Sequence, residues 1–214
     1  MANFGFHGYG PHHMLRALEI GLPQEFGYRE SAMVVYVLLP AHVERSAGRS
    51  PWDSKGPKYR IVEGRLQFMG PFSPGRAPIA PGRVGEERSA SRRLLARSAI
   101  FRLLTRRTGL PRNEDEDRRT LIAIVAEADR LVKSQYRVPL TVLLWDVGPA
   151  YPLMHERGDQ LKRDLTGQGI PVVALSEYAP QLDEPRFYFP NEGHPNGAAY
   201  AEAAQALARW RRNR

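Results

Sequence analysis

The sequence contains no cysteine, which rules out disulfides and thiolate-held metals and leaves the redox compartment open. It also lacks any apolar run near the roughly 20 residues that a bilayer-crossing helix needs. Its opening residues, Met1-Ala-Asn-Phe-Gly-Phe-His-Gly-Tyr-Gly10, are not built like a signal peptide. As written the chain reads as soluble and its localisation is unassigned; an export signal or anchor on a preceding segment would place it outside the cytoplasm. Metal-ligand spacings are missing too. His12 and His13 are adjacent and point in different directions on a helix, and His155 stands alone on a polar stretch, so neither a metal nor a cofactor is expected.

Lysine is scarce: only Lys55, Lys58, Lys133 and Lys162 are lysines among 31 basic residues, and the rest are arginine. The net charge of +8 and pI near 10.0 favour anionic partners. The arginines are nevertheless spread along the chain beside acids, and no nucleic-acid-binding motif accompanies them. The densest stretch, Arg88 to Arg107, reads as an amphipathic helix with Leu94, Leu95, Phe101 and Leu104 on its apolar side. Nucleic acid is therefore not the expected partner, and a basic nucleic-acid-binding protein stands as a rival reading.

What is present is a chain of 214 residues, 42% hydrophobic and 25% charged, sized for a single domain over 1–214. Asn3 to Gly10 reads as the tail of a strand entering a glycine-rich turn, and His13 to Ile20 as a short helix. Met33 to Leu39 is a continuous apolar run ended by Pro40, which predicts a central strand covered on both faces of a parallel sheet. From about 42 to 85 the texture turns to Gly, Pro, Ser and Arg. An irregular insertion is expected there, with a possible hairpin of 59–62 and 65–69 about Glu63-Gly64. A loop of that length in a compact domain often forms a lid or a binding surface.

Asn113 with Glu116 then opens a helix carrying Leu121, Ile124, Val125, Ala128, Leu131 and Val132 at helical spacing. Leu140 to Trp145 reads as a buried strand, Leu153 to Gln168 as a helix closed by Gly169, and Ile170 to Leu175 as another strand. A last helix from Gly197 to about Arg211 places Tyr200, Ala203, Ala204, Leu207 and Trp210 on one face. Strands alternating with helices predict a parallel three-layer α/β sandwich whose site lies at the carboxyl ends of the strands. Gly8, His42, Asp146 and His194 each follow a proposed strand, so one rim can gather them. Asp146 reads as a loop or capping residue.

The stretch Phe187-Tyr-Phe-Pro-Asn-Glu-Gly-His-Pro-Asn-Gly-Ala-Ala-Tyr200 carries the most chemistry. Glu192 lies two residues before His194 in a loop punctuated by proline and glycine. A carboxylate that close can fix one imidazole tautomer and leave the other nitrogen as a general base. The plainer reading is a helix start, with Asn196 as the cap.

Two stretches together resemble the SGNH or GDSL-type hydrolases, a family of esterases and lipases on a flavodoxin-like α/β/α sandwich. Asn3-Phe-Gly-Phe-His-Gly-Tyr-Gly-Pro11 resembles the block in which a glycine lends its N–H to the oxyanion hole, with Gly8 at the matching position. Glu192-Gly-His-Pro-Asn196 is similar to the block that completes the catalytic triad. The resemblance implies a serine-type hydrolase acting on ester or O-acyl bonds of a small molecule or polysaccharide, with His194 as base, Glu192 as its acid and Gly8 at the oxyanion. No cofactor or transmembrane segment is implied.

The family's first block, a strand leading into Gly-Asp-Ser, has no counterpart, so the first strand is expected to be missing and the chain to be inactive as it stands. Ser46, Ser50 and Ser54 lie outside any nucleophile-elbow context. The family's third block is replaced by Pro40-Ala-His-Val-Glu-Arg45. There His42 can offer a ring N–H to the oxyanion, and Arg45 can hold a substrate carboxylate or pair with Glu44; bracing of the insertion accounts for both equally well. Asn191 can orient the His194 ring without supplying charge. A non-catalytic relative that binds acylated sugars or lipids is the alternative.

Overall fold

The computed structural model describes residues 2–5, 8–28, 30, 33–50, 52–73, 113–148, 154–190 and 193–213. Its centre is a parallel sheet of three strands, β1 (Val34–Leu38), β4 (Leu140–Leu144) and β5 (Val172–Ala174), in the order β1-β4-β5. Val34 lies opposite Leu140 and Leu38 opposite Leu144, while Val142 lies opposite Val172 on the other edge. β4 is buried along its whole length, as a strand paired on both edges and covered on both faces must be.

β1 therefore departs from expectation: it lies at an edge of the described sheet. Val35 and Val37 are 36% and 42% exposed, so one of its faces is open. An apolar β-branched run reports strand preference, and the neighbours on each side decide which strand becomes central.

Helices pack on both faces of the sheet. Leu38, Leu140, Val142 and Leu144 share one core with Leu15, Leu121, Ile124 and Leu161. Leu143, Trp145 and Val173 point the other way and share a second core with Ala199, Ala203, Ala206 and Trp210. The twofold alternation of side chains along a strand separates the two sets. On the first face lie α1 (Pro11–Glu19), α4 (Glu114–Tyr136) and α5 (Met154–Gly167); on the second lies α7 (Gly197–Arg212). Shorter helices are α2 (Leu22–Glu25), α3 (His42–Ser46) and α6 (Leu175–Tyr178).

The helix ends follow local chemistry. Asn113 Oδ1 accepts the Glu116 N–H at 3.2 Å, and four acids, Glu114 to Asp117, fill the first turn of α4, where the helix dipole favours them. Leu121, Ile124, Val125, Ala128 and Val132, five of the six that its spacing singled out, are buried; Leu131 is half-buried, and Asp129, which the spacing did not single out, is buried too. Asn196 caps α7 through the N–H groups of Ala198 and Ala199. The buried face of α7 is Ala199, Ala203, Ala206 and Trp210, turned from the expected one, and Tyr200 is 59% exposed. Three alanines let the helix approach the sheet closely, while the Tyr200 ring stands at the rim, edge-on to Trp145 with centroids 5.5 Å apart.

The described part of the expected insertion, up to Ser73, is more regular than its composition implied, and 74–85 lies outside the described residues. The described part begins with α3 and continues into an antiparallel hairpin, β2 (Pro57–Val62) and β3 (Arg65–Pro71). Its turn falls at Glu63-Gly64, both with positive φ, the conformation of a tight two-residue hairpin turn. No strand forms among the described residues of 3–10; that segment turns at Gly8 and runs into α1. The basic stretch 88–107 lies outside the described residues. Among the described residues, no helix is long and apolar enough to cross a membrane.

Candidate functional site

Beyond the carboxyl end of β1, three segments meet in a corner rich in imidazole. Pro11 at the first position of α1 starts the helix, so His12 and His13 fall in its first turn. His12 Nε2 lies 2.7 Å from Asp53 Oδ2 and His13 Nε2 lies 3.2 Å from Asp53 Oδ1. The expectation that these neighbours diverge is corrected: the two rings, with centroids 4.2 Å apart, converge on a carboxylate supplied by a distant loop.

Burial dominates the electrostatics. Desolvation lowers the His12 pKa to about 4 against the opposing hydrogen bond to Asp53, and lowers His13 as well. At neutral pH both rings are therefore neutral N–H donors to Asp53. Gly10 N–H donates to His13 Nδ1 at 3.3 Å, while His12 Nδ1 is buried with no partner among the described residues.

His42 opens α3 on the next side of this corner and is 4% exposed. Arg45 Nη1 lies 3.3 Å from His42 Nε2, and His42 Nδ1 lies 3.0 Å from the Tyr36 hydroxyl and 3.4 Å from Leu39 N, so both ring nitrogens are taken up inside the protein. Burial first, and the Arg45 charge second, bring the His42 pKa down to about 3. The same Arg45 nitrogen donates to Tyr9 O at 3.2 Å, tying the Gly8-Tyr9 turn to α3. Among the described residues the hydrogen bonds of Arg45 go to Tyr9 O and His42. Gly8 has φ +81, and a Cβ there would sit 3.1 Å from Trp52 Nε1, so the turn requires glycine. Trp52 is 66% exposed above it.

The second candidate region is the loop before α7. Phe189 N–H donates to His194 O, Asn196 N–H to Phe187 O and the Asn196 side-chain amide to Arg186 O, so backbone acceptors hold its shape. The His194 side chain is exposed. Glu192 and Asn191 lie outside the described residues. The loop is anchored by Tyr188, whose hydroxyl donates to Val147 O, just past β4. The structure thus brings Gly8, His42 and Arg45 together, and among the described residues the hydrogen bond of His194 is made within its own loop, to Phe189.

Between the ends of β4 and β5, Asp146 is 1% exposed and accepts from Ser176 N at 2.9 Å and Ser176 Oγ at 2.6 Å. Desolvation raises its pKa and the Ser176 bonds oppose the rise. It links two strand ends, in keeping with a loop residue. Ser46 is buried, with its hydroxyl on His42 O. Asp53 was missed by sequence reasoning. It lies 41 residues from His12 within Trp52-Asp53-Ser54, and no local pattern signals the pairing. No family model, curated protein or solved structure matches this sequence.

Proposed function

We propose that this chain is an SGNH-type hydrolase domain of flavodoxin-like design acting on ester or O-acyl bonds. His194 is its base, Glu192 its orienting acid and Gly8 its oxyanion donor; His42, whose two ring nitrogens are taken up by Arg45 and Tyr36, braces that side and offers no N–H to the oxyanion. One observation carries the reading. α3, with His42, begins four residues after β1, and the His194 loop is anchored at Val147, three residues after β4. β1 and β4 are adjacent and parallel, so both loops stand on the carboxyl edge, the edge on which sites assemble in open α/β sheets. Arg45 adds the Gly8 turn to the same edge, and its remaining N–H groups suit the carboxylate of an acidic substrate.

Chemically, a backbone N–H at Gly8 would stabilise the charge developing on a carbonyl oxygen, each such donor contributing about 3 kcal/mol. Covalent catalysis needs a hydroxyl nucleophile activated by His194. The sequence has no Gly-Asp-Ser and Ser46 is buried against His42, so covalent turnover by this chain alone is not expected, and any hydrolysis it shows would come from water activated by His194.

A second reading, a non-catalytic relative that binds acylated sugars, draws on Trp52 and Tyr9, 66% and 45% exposed beside Gly8, since aromatic faces suit sugar rings. The deciding experiment is hydrolysis of p-nitrophenyl acetate by the full chain and by His194→Ala. Activity above the buffer rate that disappears in the variant supports the hydrolase. Equal rates for the two proteins reject His194 as the base. Saturable binding of an acetylated sugar without hydrolysis would then favour the binding relative, and steeply salt-dependent binding to DNA or RNA the basic rival.

A further inference from the structure

We propose that His12, His13 and Asp53 form a binding site for a divalent transition metal of the zinc class, independent of the ester-hydrolase reading. One nitrogen of each histidine and one oxygen of Asp53 lie within 4.8 Å of one another. Ligands of a tetrahedral zinc ion, at bond lengths near 2.0–2.1 Å, sit about 3.3 Å apart. The two rings approach different oxygens of Asp53, His12 Nε2 at 2.7 Å from Oδ2 and His13 Nε2 at 3.2 Å from Oδ1, so a small rotation of the carboxylate with outward shifts of the rings admits an ion.

Charge points the same way. Asp53 is 8% exposed, His12 is fully buried, and among the described residues no lysine or arginine pairs with the carboxylate. A buried carboxylate normally has a cation or a metal as its partner. Among the described residues its side chain faces two imidazoles, and neutral imidazole with carboxylate is the donor set that zinc, cobalt and nickel accept.

The surroundings also hold the ligands in place. A Cβ on Gly56 would strike the Asp53 carboxylate, and one on Gly10 would lie 2.7 Å from His12 Cε1, so both side chains press on bare backbone and keep one orientation. The His13 ring is stacked on Tyr9 at 4.2 Å and 5°, and the His12 ring meets Phe72 edge-on at 5.5 Å. Loading moves each histidine proton to Nδ1, and His13 then gives up its 3.3 Å contact with Gly10, a long bond that is easily lost. Three protein ligands leave a fourth position for water or a substrate oxygen.

The test titrates Zn²⁺ into chelator-stripped full chain by calorimetry and follows Co²⁺ loading by visible absorption. The expected result is one tight equivalent of Zn²⁺, the intense visible bands of tetrahedral cobalt, and a rise in melting temperature on loading. Asp53→Asn and His13→Gln, each checked by circular dichroism, should weaken Zn²⁺ binding roughly 100-fold or more, and His155→Ala should leave it unchanged. No saturable binding to the wild type overturns the site, as does undiminished affinity in His13→Gln. If Asp53→Asn does not fold, His13→Gln and the cobalt spectrum of the wild type decide the matter.

Discussion

The two candidate regions are built in opposite ways. In the corner of α1, α3 and the Asp53 loop, polar side chains carry the structure: His12, His42, Ser46 and Asp53 are all buried, and each has a side-chain hydrogen bond. In the loop before α7, backbone groups and one asparagine cap hold the shape, and the His194 side chain is exposed. The first region is sensitive to any change of charge or shape. The second can present a reactive side chain without depending on it for folding, an arrangement that keeps chemistry and stability separate.

The contrast is sharpest in acid. Free histidine titrates near 6.5, whereas His42 in the folded protein is held to about 3 by burial and by Arg45. The groups facing it are Arg45, His12 and the Tyr36 hydroxyl, and none of them rewards its protonation. Below pH 6.5 the unfolded chain binds a proton that the folded chain refuses, so stability is complete above that pH and falls as pH drops toward 3. The loss is expected to reach several kcal/mol. Urea melts from pH 7.5 to 4 check it: a flat midpoint would mean that the buried imidazoles are open to solvent, and His42→Asn should reduce the slope, with His12 and His13, also lowered by burial, supplying the part that remains.

Next in size is Asp53→Ala, which removes the acceptor of two imidazole N–H groups and leaves His12 buried with neither nitrogen satisfied. A cost of about 3 kcal/mol is expected, since a buried polar group without a partner loses its full hydration. Denaturant midpoints at pH 7.5 in the presence of chelator measure it. A change below about 0.5 kcal/mol would show that water reaches the corner.

How much of this was legible depends on the reach of each interaction. The α4 cap at Asn113, the buried run of β4, the Glu63-Gly64 turn and the Asn196 cap rest on residues within one turn of each other, and the sequence displays them directly. The edge position of β1, the rotation of α7 toward its alanines and the convergence of two neighbouring histidines on Asp53 are set by which elements pack together. Their partners lie tens of residues away, so no spacing rule reaches them. For the same reason, the ends of the proposed site could be read in the letters around Gly8 and His194, but the role of Arg45 as the link between Tyr9 and His42 could not.

A smaller effect is expected at the α7 loop, where Asn196 accepts from Ala198 and Ala199 while its amide donates to Arg186 O at 2.7 Å. Asn196→Ala should cost about 1 kcal/mol and, by loosening the turn that carries His194, reduce any esterase rate more than it reduces stability. Asn196→Asp keeps the cap acceptor and loses the bond to Arg186, so it separates capping from loop closure. If both variants melt alike and react alike, the loop is held by its neighbours, and the cap is incidental.

The smallest change in stability should follow His194→Ala. Its side chain is exposed, and its carbonyl accepts the Phe189 N–H, a bond that alanine retains. Exposed positions without special backbone or buried contacts usually shift stability by no more than about 0.5 kcal/mol. A melt unchanged within that margin, together with loss of p-nitrophenyl acetate hydrolysis, would establish a residue present for chemistry alone. A loss of several kcal/mol would instead mean that the imidazole is buried in use, packed against groups at the strand ends, and the division between a structural corner and a reactive loop would no longer hold.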